Sequence, residues 1–209
     1  MSEDPARETV FVVDDDASIR EGLANLLEAV GIASEQFASA EDFLGQWDPT
    51  RPGCLVLDAR LPGMTGVEFQ ERLRTSSISI PIIFMTAHGD IPMVRKVMKA
   101  GAVEFLTKPF EKQELLAAIE HAFAQDRARR TEAVTLAPIR KRYESLTPRE
   151  REVMELVTAG LLNKQIAAEL NLSEITVKVH RRNLLEKMQA ESLADLVKMR
   201  ERIRPAGVN

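Results

Sequence analysis

The stretch TVFVVDDDASIREGL, Thr9–Leu23, decides how the front of this chain is read. Five residues suited to a buried strand, Thr9 to Val13, run straight into Asp14, Asp15 and Asp16. Adjacent carboxylates repel, and taking each out of water is costly unless something compensates the charge. A strand that ends in three acids therefore predicts a cation at its tip. After the acids, Ile19, Leu23, Leu26, Leu27 and Val30 recur at helical spacing, and Gly31 follows as a stop.

Outward from this unit the same alternation repeats. Apolar runs at Ile32–Phe37, Cys54–Leu57, Ile80–Met85 and Val103–Leu106 are separated by segments of helical spacing. Ser39 with Asp42, and Thr65 with Glu68, each spell a helix start: a hydroxyl cap and an acid one turn in. Five strand–helix repeats predict an α/β fold, a doubly wound five-stranded parallel sheet of flavodoxin-like order, over residues 1–124. Residues 125–142 lose apolar periodicity, are rich in Arg and Ala, and contain Pro138. They predict a solvated linker, helical in its first part and looser near the proline. From Tyr143 to Asn209 no strand is evident. Thr147, Pro148 and Glu150 form a capping box, and NKQIAAEL, NLS and EITVKVHRRNLLEKM give short helix, tight turn and longer helix. A small all-α domain of four helices containing a helix-turn-helix is predicted.

The charge divides in the same place. The chain has 209 residues and a net charge of −4, but residues 1–124 carry −9 and residues 125–209 carry +5. Two domains with different partners are implied. Apolar residues make up 44% and charged residues 29%, a globular rather than disordered balance. No apolar run approaches the length of a membrane span, and the N-terminus MSEDPARE lacks a signal core, so a cytoplasmic protein without membrane contact is expected. The single cysteine, Cys54, excludes a disulfide framework and reads as a small core residue.

In an open parallel sheet, ligands gather at the carboxyl ends of the strands. Asp14 and Asp15 end the first strand and Asp58 the third, and these two strands are neighbours in flavodoxin-like order. Converging carboxylates suit a hard cation, Mg²⁺ or its substitute Mn²⁺. Thr86 ends the fourth strand, and Lys108 follows the fifth, just before Pro109. Acids, a hydroxyl and a lysine around such an ion suit a phosphoryl group, with a carboxylate as its acceptor. Asp16 reads as a solvated acid in the first helical turn. His88, in the loop beyond Thr86, has no partners at metal-ligand spacing and is left unassigned.

VFVVDDD, LVLDARLPGMTG, IFMTAHGD and VEFLTKPF together resemble the receiver domain of bacterial two-component response regulators, over about residues 7–124. The resemblance implies that Asp58 is the phosphoacceptor, that Asp14 and Asp15 bind Mg²⁺ beside it, and that the backbone carbonyl of Arg60 completes the protein ligands. Thr86 and Lys108 would hold the phosphoryl oxygens, and Phe105 would be the aromatic switch. The phosphate would come from a sensor histidine kinase, with the receiver assisting its own phosphotransfer.

On a helix of about 100° per residue, Val177, Leu184 and Met188 form a packing stripe, with Lys178, Arg181 and Arg182 on an adjoining face and Val179 at its edge. Such a helix fits the major groove of double-stranded DNA, with Lys or Arg on guanine edges and Val179 on a thymine methyl. Thr147, Asn163, Lys164, Thr176 and His180 are candidate phosphate contacts. NKQIA, S-x-x-TVK-x-H and the closing KM resemble the LuxR-type DNA-binding domain, and both halves in this order resemble the NarL/FixJ family, the FixJ branch most closely. That resemblance implies a transcription regulator, not an enzyme. It would dimerise when phosphorylated, bind promoter DNA and engage RNA polymerase, acting mainly as an activator. A magnesium-dependent phosphatase is the competing reading, but such enzymes need an acid two residues after the nucleophile, where Arg60 stands. A phosphate-independent dimerisation scaffold is the third, and the intact acidic pair and Lys108 argue against it.

Overall fold

A computed structural model describes residues 7–87 and 91–203, so the loop holding His88 lies outside the described residues. The chain divides at Arg129/Arg130 into two compact units. In the first, strands β1 (Thr9–Val13), β2 (Ala33–Phe37), β3 (Gly53–Asp58), β4 (Ile82–Thr86) and β5 (Glu104–Thr107) form one parallel sheet in the order β2-β1-β3-β4-β5. Sequence order reverses at β1, which lies beside β3 as the flavodoxin-like reading expects.

Every residue of β1 is buried, because the sheet is covered on both faces. Alternate side chains enter two separate layers. Val10, Val12, Cys54, Val56, Ile83 and Met85 pack under α1 (Ala17–Ala29) and the front of a long helix that begins at Lys112. Phe11, Val13, Leu55, Leu57 and Phe84 pack under α2 (Ala40–Gln46), α3 (Gly66–Thr75) and α4 (Ile91–Lys99). Cys54 is wholly buried, and that burial drives its thiol far above the ordinary range, so it is inert packing.

Helix caps stand where the sequence spells them. Ser39 Oγ accepts from Asp42 N, and Thr65 forms a two-way box with Glu68. Asp16 is solvated as expected, but it sits one step before the first turn, as the N-cap of α1, accepting from Ser18 N at 2.8 Å, and this hydrogen bonding holds its carboxyl below the usual range.

The segment 125–142 also departs from expectation. It is helical throughout, as part of α5 (Lys112–Glu144), with Pro138 inside. Proline removes one backbone donor and crowds the preceding turn. Leu136 and Ile139, flanking Pro138, are buried in the core of the second unit, and that burial keeps the turn helical. The front of the segment is anchored too: Asp126 is 1% exposed and accepts from Gly53 N at 3.1 Å and from Arg129.

The second unit holds the end of α5, then α6 (Pro148–Thr158), α7 (Asn163–Leu170), α8 (Glu174–Met188) and α9 (Leu193–Ile203), with no strand among its described residues. Val153, Met154, Val157, Ile166, Val177, Leu184, Met188 and Leu196 make its core. Asn171 and Gln189, both left-handed, end α7 and α8.

Candidate functional site

The carboxyl ends of β1, β3 and β4 bring the predicted acids to one rim. Pairing of β1 with β3 sets Val13 opposite Leu57, so Asp14 and Asp58 leave adjacent strands at the same level. Both meet Lys108, whose Nζ donates to Asp14 Oδ2 at 2.7 Å and to Asp58 Oδ2 at 2.5 Å. Lys108 is placed by its own backbone, which donates to the carbonyl of Thr86 at 2.7 Å, at a cis peptide bond to Pro109. Thr86 is 1% exposed at the tip of β4.

The protein sustains this charge at an electrostatic cost. Burial pushes the Asp14 carboxyl above the ordinary range, outweighing the hydrogen bonds from Lys108 and from Asp16 N–H, and the Asp58 charge adds to the rise. For Lys108 burial works against the ammonium, but hydrogen bonds to Asp14 and Asp58 more than restore it, and its pKa is raised. The loop carrying Asp14 is tied down by Arg20, which donates to the Asp14 carbonyl at 2.6 Å.

Asp58 is held from the other side. Arg60 N donates to Asp58 Oδ1 at 2.7 Å, and Arg60–Leu61 pairs antiparallel with Met64–Thr65 in a two-residue hairpin. The hairpin feeds Gly66, first residue of α3, where a Cβ would lie 3.0 Å from the Asp58 carbonyl oxygen and 2.8 Å from the Phe84 ring. Only glycine admits that approach.

These residues fit a hard divalent cation in a limited way. Two carboxylates converge on a single ammonium, and such an ion commonly takes one or two carboxylates and keeps waters. Asp15 is exposed, and among the described residues no three His, Cys, Asp or Glu side chains gather as a metal cluster. The structure thus joins Asp14, Asp58, Lys108 and Thr86 at one rim, with Asp15 exposed next to Asp14 and not in contact with Lys108. Phe105, on β5, is half-buried and packs against the layer under α3 and α4.

In the second unit the exposed side of α8 carries Lys178, Val179 and Arg182. Arg182 reaches only a distant neighbour, Glu186 at 3.9 Å, and the side chain is 70% exposed. Arg181 stands apart from them. It is half-buried and donates to Asn163 Oδ1 at 2.7 Å, so it braces α8 against the start of α7. Lys164 is exposed beside Asn163, Thr147 is exposed at the cap of α6, and His180 is half-buried. Thr176 is engaged with the α8 cap, its Oγ1 lying 2.8 Å from Ser173 Oγ.

The sequence reading missed what holds these helices together. Glu150 is 3% exposed and accepts from Lys187 Nζ at 2.6 Å and from Thr147 N at 2.8 Å. The capping-box spacing flagged Glu150, but only folding reveals Lys187 as its partner. Burial alone would raise the Glu150 carboxyl; the bonds from Lys187 and Thr147 outweigh it and hold the pKa below 4.5. A depressed pKa contributes stability that is present above the unfolded value and is lost as pH falls through the folded one. Glu150→Gln is therefore expected to destabilise the helical unit by about 2 kcal/mol at neutral pH. It should also flatten the acid limb below 4.5, as read by urea unfolding across pH. An unchanged pH slope would show that Glu150 is not the titrating group.

Comparison with known proteins agrees with both units. Residues 10–120 match the family of response regulator receiver domains, and residues 144–200 match the luxR family of bacterial regulatory proteins. Nodulation protein W of Bradyrhizobium diazoefficiens is 52% identical over 192 residues, 92% of this chain and 85% of that protein. Among solved structures, the response regulator StyR is 53% identical with a TM-score of 0.67, covering 94% of this chain and 99% of StyR. Full-length FixJ from B. japonicum is 41% identical with a TM-score of 0.57, covering 94% and 97%. No helix among the described residues is long and apolar enough to cross a membrane.

Proposed function

This chain belongs to the response regulators that join a receiver to a LuxR-type DNA-binding domain, and from that premise we propose that phosphorylation of Asp58 controls where and how tightly it binds DNA. The observation that carries the proposal is the double contact of Lys108 with Asp14 and Asp58 at the sheet's rim. A sensor histidine kinase is the donor. An Asp58 oxygen attacks phosphorus, the bond from phosphorus to the donor's imidazole nitrogen breaks, and the phosphoryl group remains on Asp58. Lys108 and the Thr86 hydroxyl bind the phosphoryl oxygens, and Arg20 keeps the Asp14 loop in place. Asp14, Asp15, Asp58 and the Arg60 carbonyl would hold Mg²⁺, which when bound would neutralise the phosphoryl charge.

A phosphoryl group on Asp58 carries about −1.5 to −2 charges in place of the carboxylate's single charge, at a rim where one lysine already faces two carboxylates. Drawing Thr86 toward those oxygens frees space for Phe105 to turn inward from its half-buried position on β5. The face around α4 and β5 then favours a homodimer, which sets two α8 helices on paired half-sites. Lys178, Val179 and Arg182 read bases. Thr147, Asn163, Lys164, Thr176 and His180 fix register on phosphates, with Arg181 bracing Asn163. The dimer acts in the cytoplasm on promoter DNA and engages RNA polymerase, mainly to activate.

The test is a mobility shift with parallel sizing of the full chain on the DNA upstream of its own gene, with and without acetyl phosphate and Mg²⁺. The phosphoryl donor should convert monomer to dimer and tighten binding. No change in either would reject the proposal. In the same assay Arg182→Ala should weaken specific binding by about 1–3 kcal/mol and leave random DNA nearly unaffected. Equal loss on both would make Arg182 a phosphate contact.

A further inference from the structure

The outward side of α8 carries an apolar residue that no phosphate contact explains. Ile175 is 74% exposed at the second position of the helix, and Val179 is 44% exposed one turn later. At 100° per residue both lie on the side opposite the buried Val177, Leu184 and Met188, and Arg182 shares that side, about 20° from Ile175 and about two turns further along. A single exposed isoleucine is ordinary on a protein surface. This one stands at the start of the reading helix, among cations free to reach bases, and the leading residues of such a helix approach base edges most closely.

We propose that Ile175 is a specificity-determining residue that reads the C5-methyl group of a thymine. The inference rests on the DNA-binding reading above and adds the chemistry of the half-site. An isoleucine offers no hydrogen bond to a base edge, so the one major-groove feature it can favour is the thymine methyl. Ile175 and Val179 are about 6 Å apart along the helix axis. With base pairs stacked about 3.4 Å apart, the two side chains match thymines about two steps apart, with the base met by Arg182 further along the groove.

The experiment uses the full chain treated with acetyl phosphate and Mg²⁺, and a duplex that it selects from a random-sequence pool. Each thymine of the duplex is replaced in turn by deoxyuridine, which removes the methyl and nothing else. Wild type should lose about fourfold in affinity at each of two thymines per half-site, one met by Ile175 and one by Val179, the effect of returning one methyl to water. Ile175→Ser should bind both versions of the first position equally and keep the response at the thymine met by Val179. Val134→Ser, at an equally exposed apolar position on α5, should keep the whole wild-type profile. A flat scan for wild type, or an unaltered scan for Ile175→Ser, overturns the inference while Arg182-dependent binding still stands. An Ile175→Ser variant that binds DNA normally but fails to drive transcription overturns it in favour of a polymerase contact. If the phosphorylated protein enriches no sequence, this inference and the DNA-binding reading fall together.

Discussion

Replacing Asp58 with alanine is expected to abolish incorporation of phosphate from acetyl phosphate, a loss limited only by the sensitivity of the assay. Three acids stand near the rim, and their settings differ enough to separate their roles. Asp14 is 1% exposed with its pKa raised by burial, so it is a poorly presented nucleophile. Asp15 is exposed and lies outside the group gathered on Lys108. The Asp58 side chain is 14% exposed, reachable from solvent yet fixed by Arg60 N and Lys108. Asp58→Asn keeps the shape and removes the nucleophile, so it should fail as completely as alanine. Asp15→Asn keeps the nucleophile, so it should be labelled slowly and require more Mg²⁺. Both Asp58 variants should stay folded, because the Asp58 charge is one of the causes that raise Asp14 and its removal relieves that repulsion. Label persisting on a folded Asp58→Ala protein would assign acceptance of phosphorus to another carboxylate. Rapid turnover of phosphoesters by wild type would favour the phosphatase reading.

Much of this site was legible because its parts are spelled locally. A fully apolar run signals a strand covered on both faces, and β1 and β3 are such runs, each closed by an acid. Ser39, Thr65, Thr147 and Ser173 announce their helices because a cap needs only neighbours in sequence. The meeting of Asp14, Asp58 and Lys108 followed from strand order, since parallel strands deliver their ends to one rim. Asp15 shows where that logic stops. Its neighbour turns inward and is buried, while Asp15 itself points to solvent, a choice made by the turn and not by composition.

Other features needed the third dimension. Asp126 lies in an Arg-rich run that reads as solvated, yet it is buried at the start of β3, with Gly53 and Arg129 as partners separated from it by 73 and 3 positions. Arg181 sits beside Arg182 in sequence, and a helical projection gives them adjoining faces. Packing of α7 against α8 then hands Arg181 to Asn163 and leaves Arg182 to solvent. Pro138 marks a break only if its neighbours have nothing to bury, and Leu136 and Ile139 do.

The largest effect on stability is expected at a residue that carries no chemistry. Gly53 opens β3, where a Cβ would lie 2.0 Å from the carbonyl oxygen of Thr9 and 3.0 Å from the Phe11 ring. The first obstacle is backbone in the neighbouring strand, so no rotamer can relieve it. Gly53 N also donates to buried Asp126, so moving the chain aside would break that bond to a buried carboxylate. Gly53→Ala must therefore part β1 from β3 where the sheet begins, and a cost of about 4 kcal/mol is expected for the receiver. In a melt followed by circular dichroism this appears as a loss of about 10 °C or more in the receiver's transition. Gly22 supplies the contrast. It lies inside α1, and a Cβ there would meet nothing within 4 Å. Gly22→Ala should raise stability by about 0.5–1 kcal/mol, because alanine restricts the unfolded chain and suits a helix. The same substitution at two glycines thus shifts melting in opposite directions. Equal shifts would mean that helix and strand propensity, and not the approach of β1 to β3, fixes the packing beneath the phosphoacceptor.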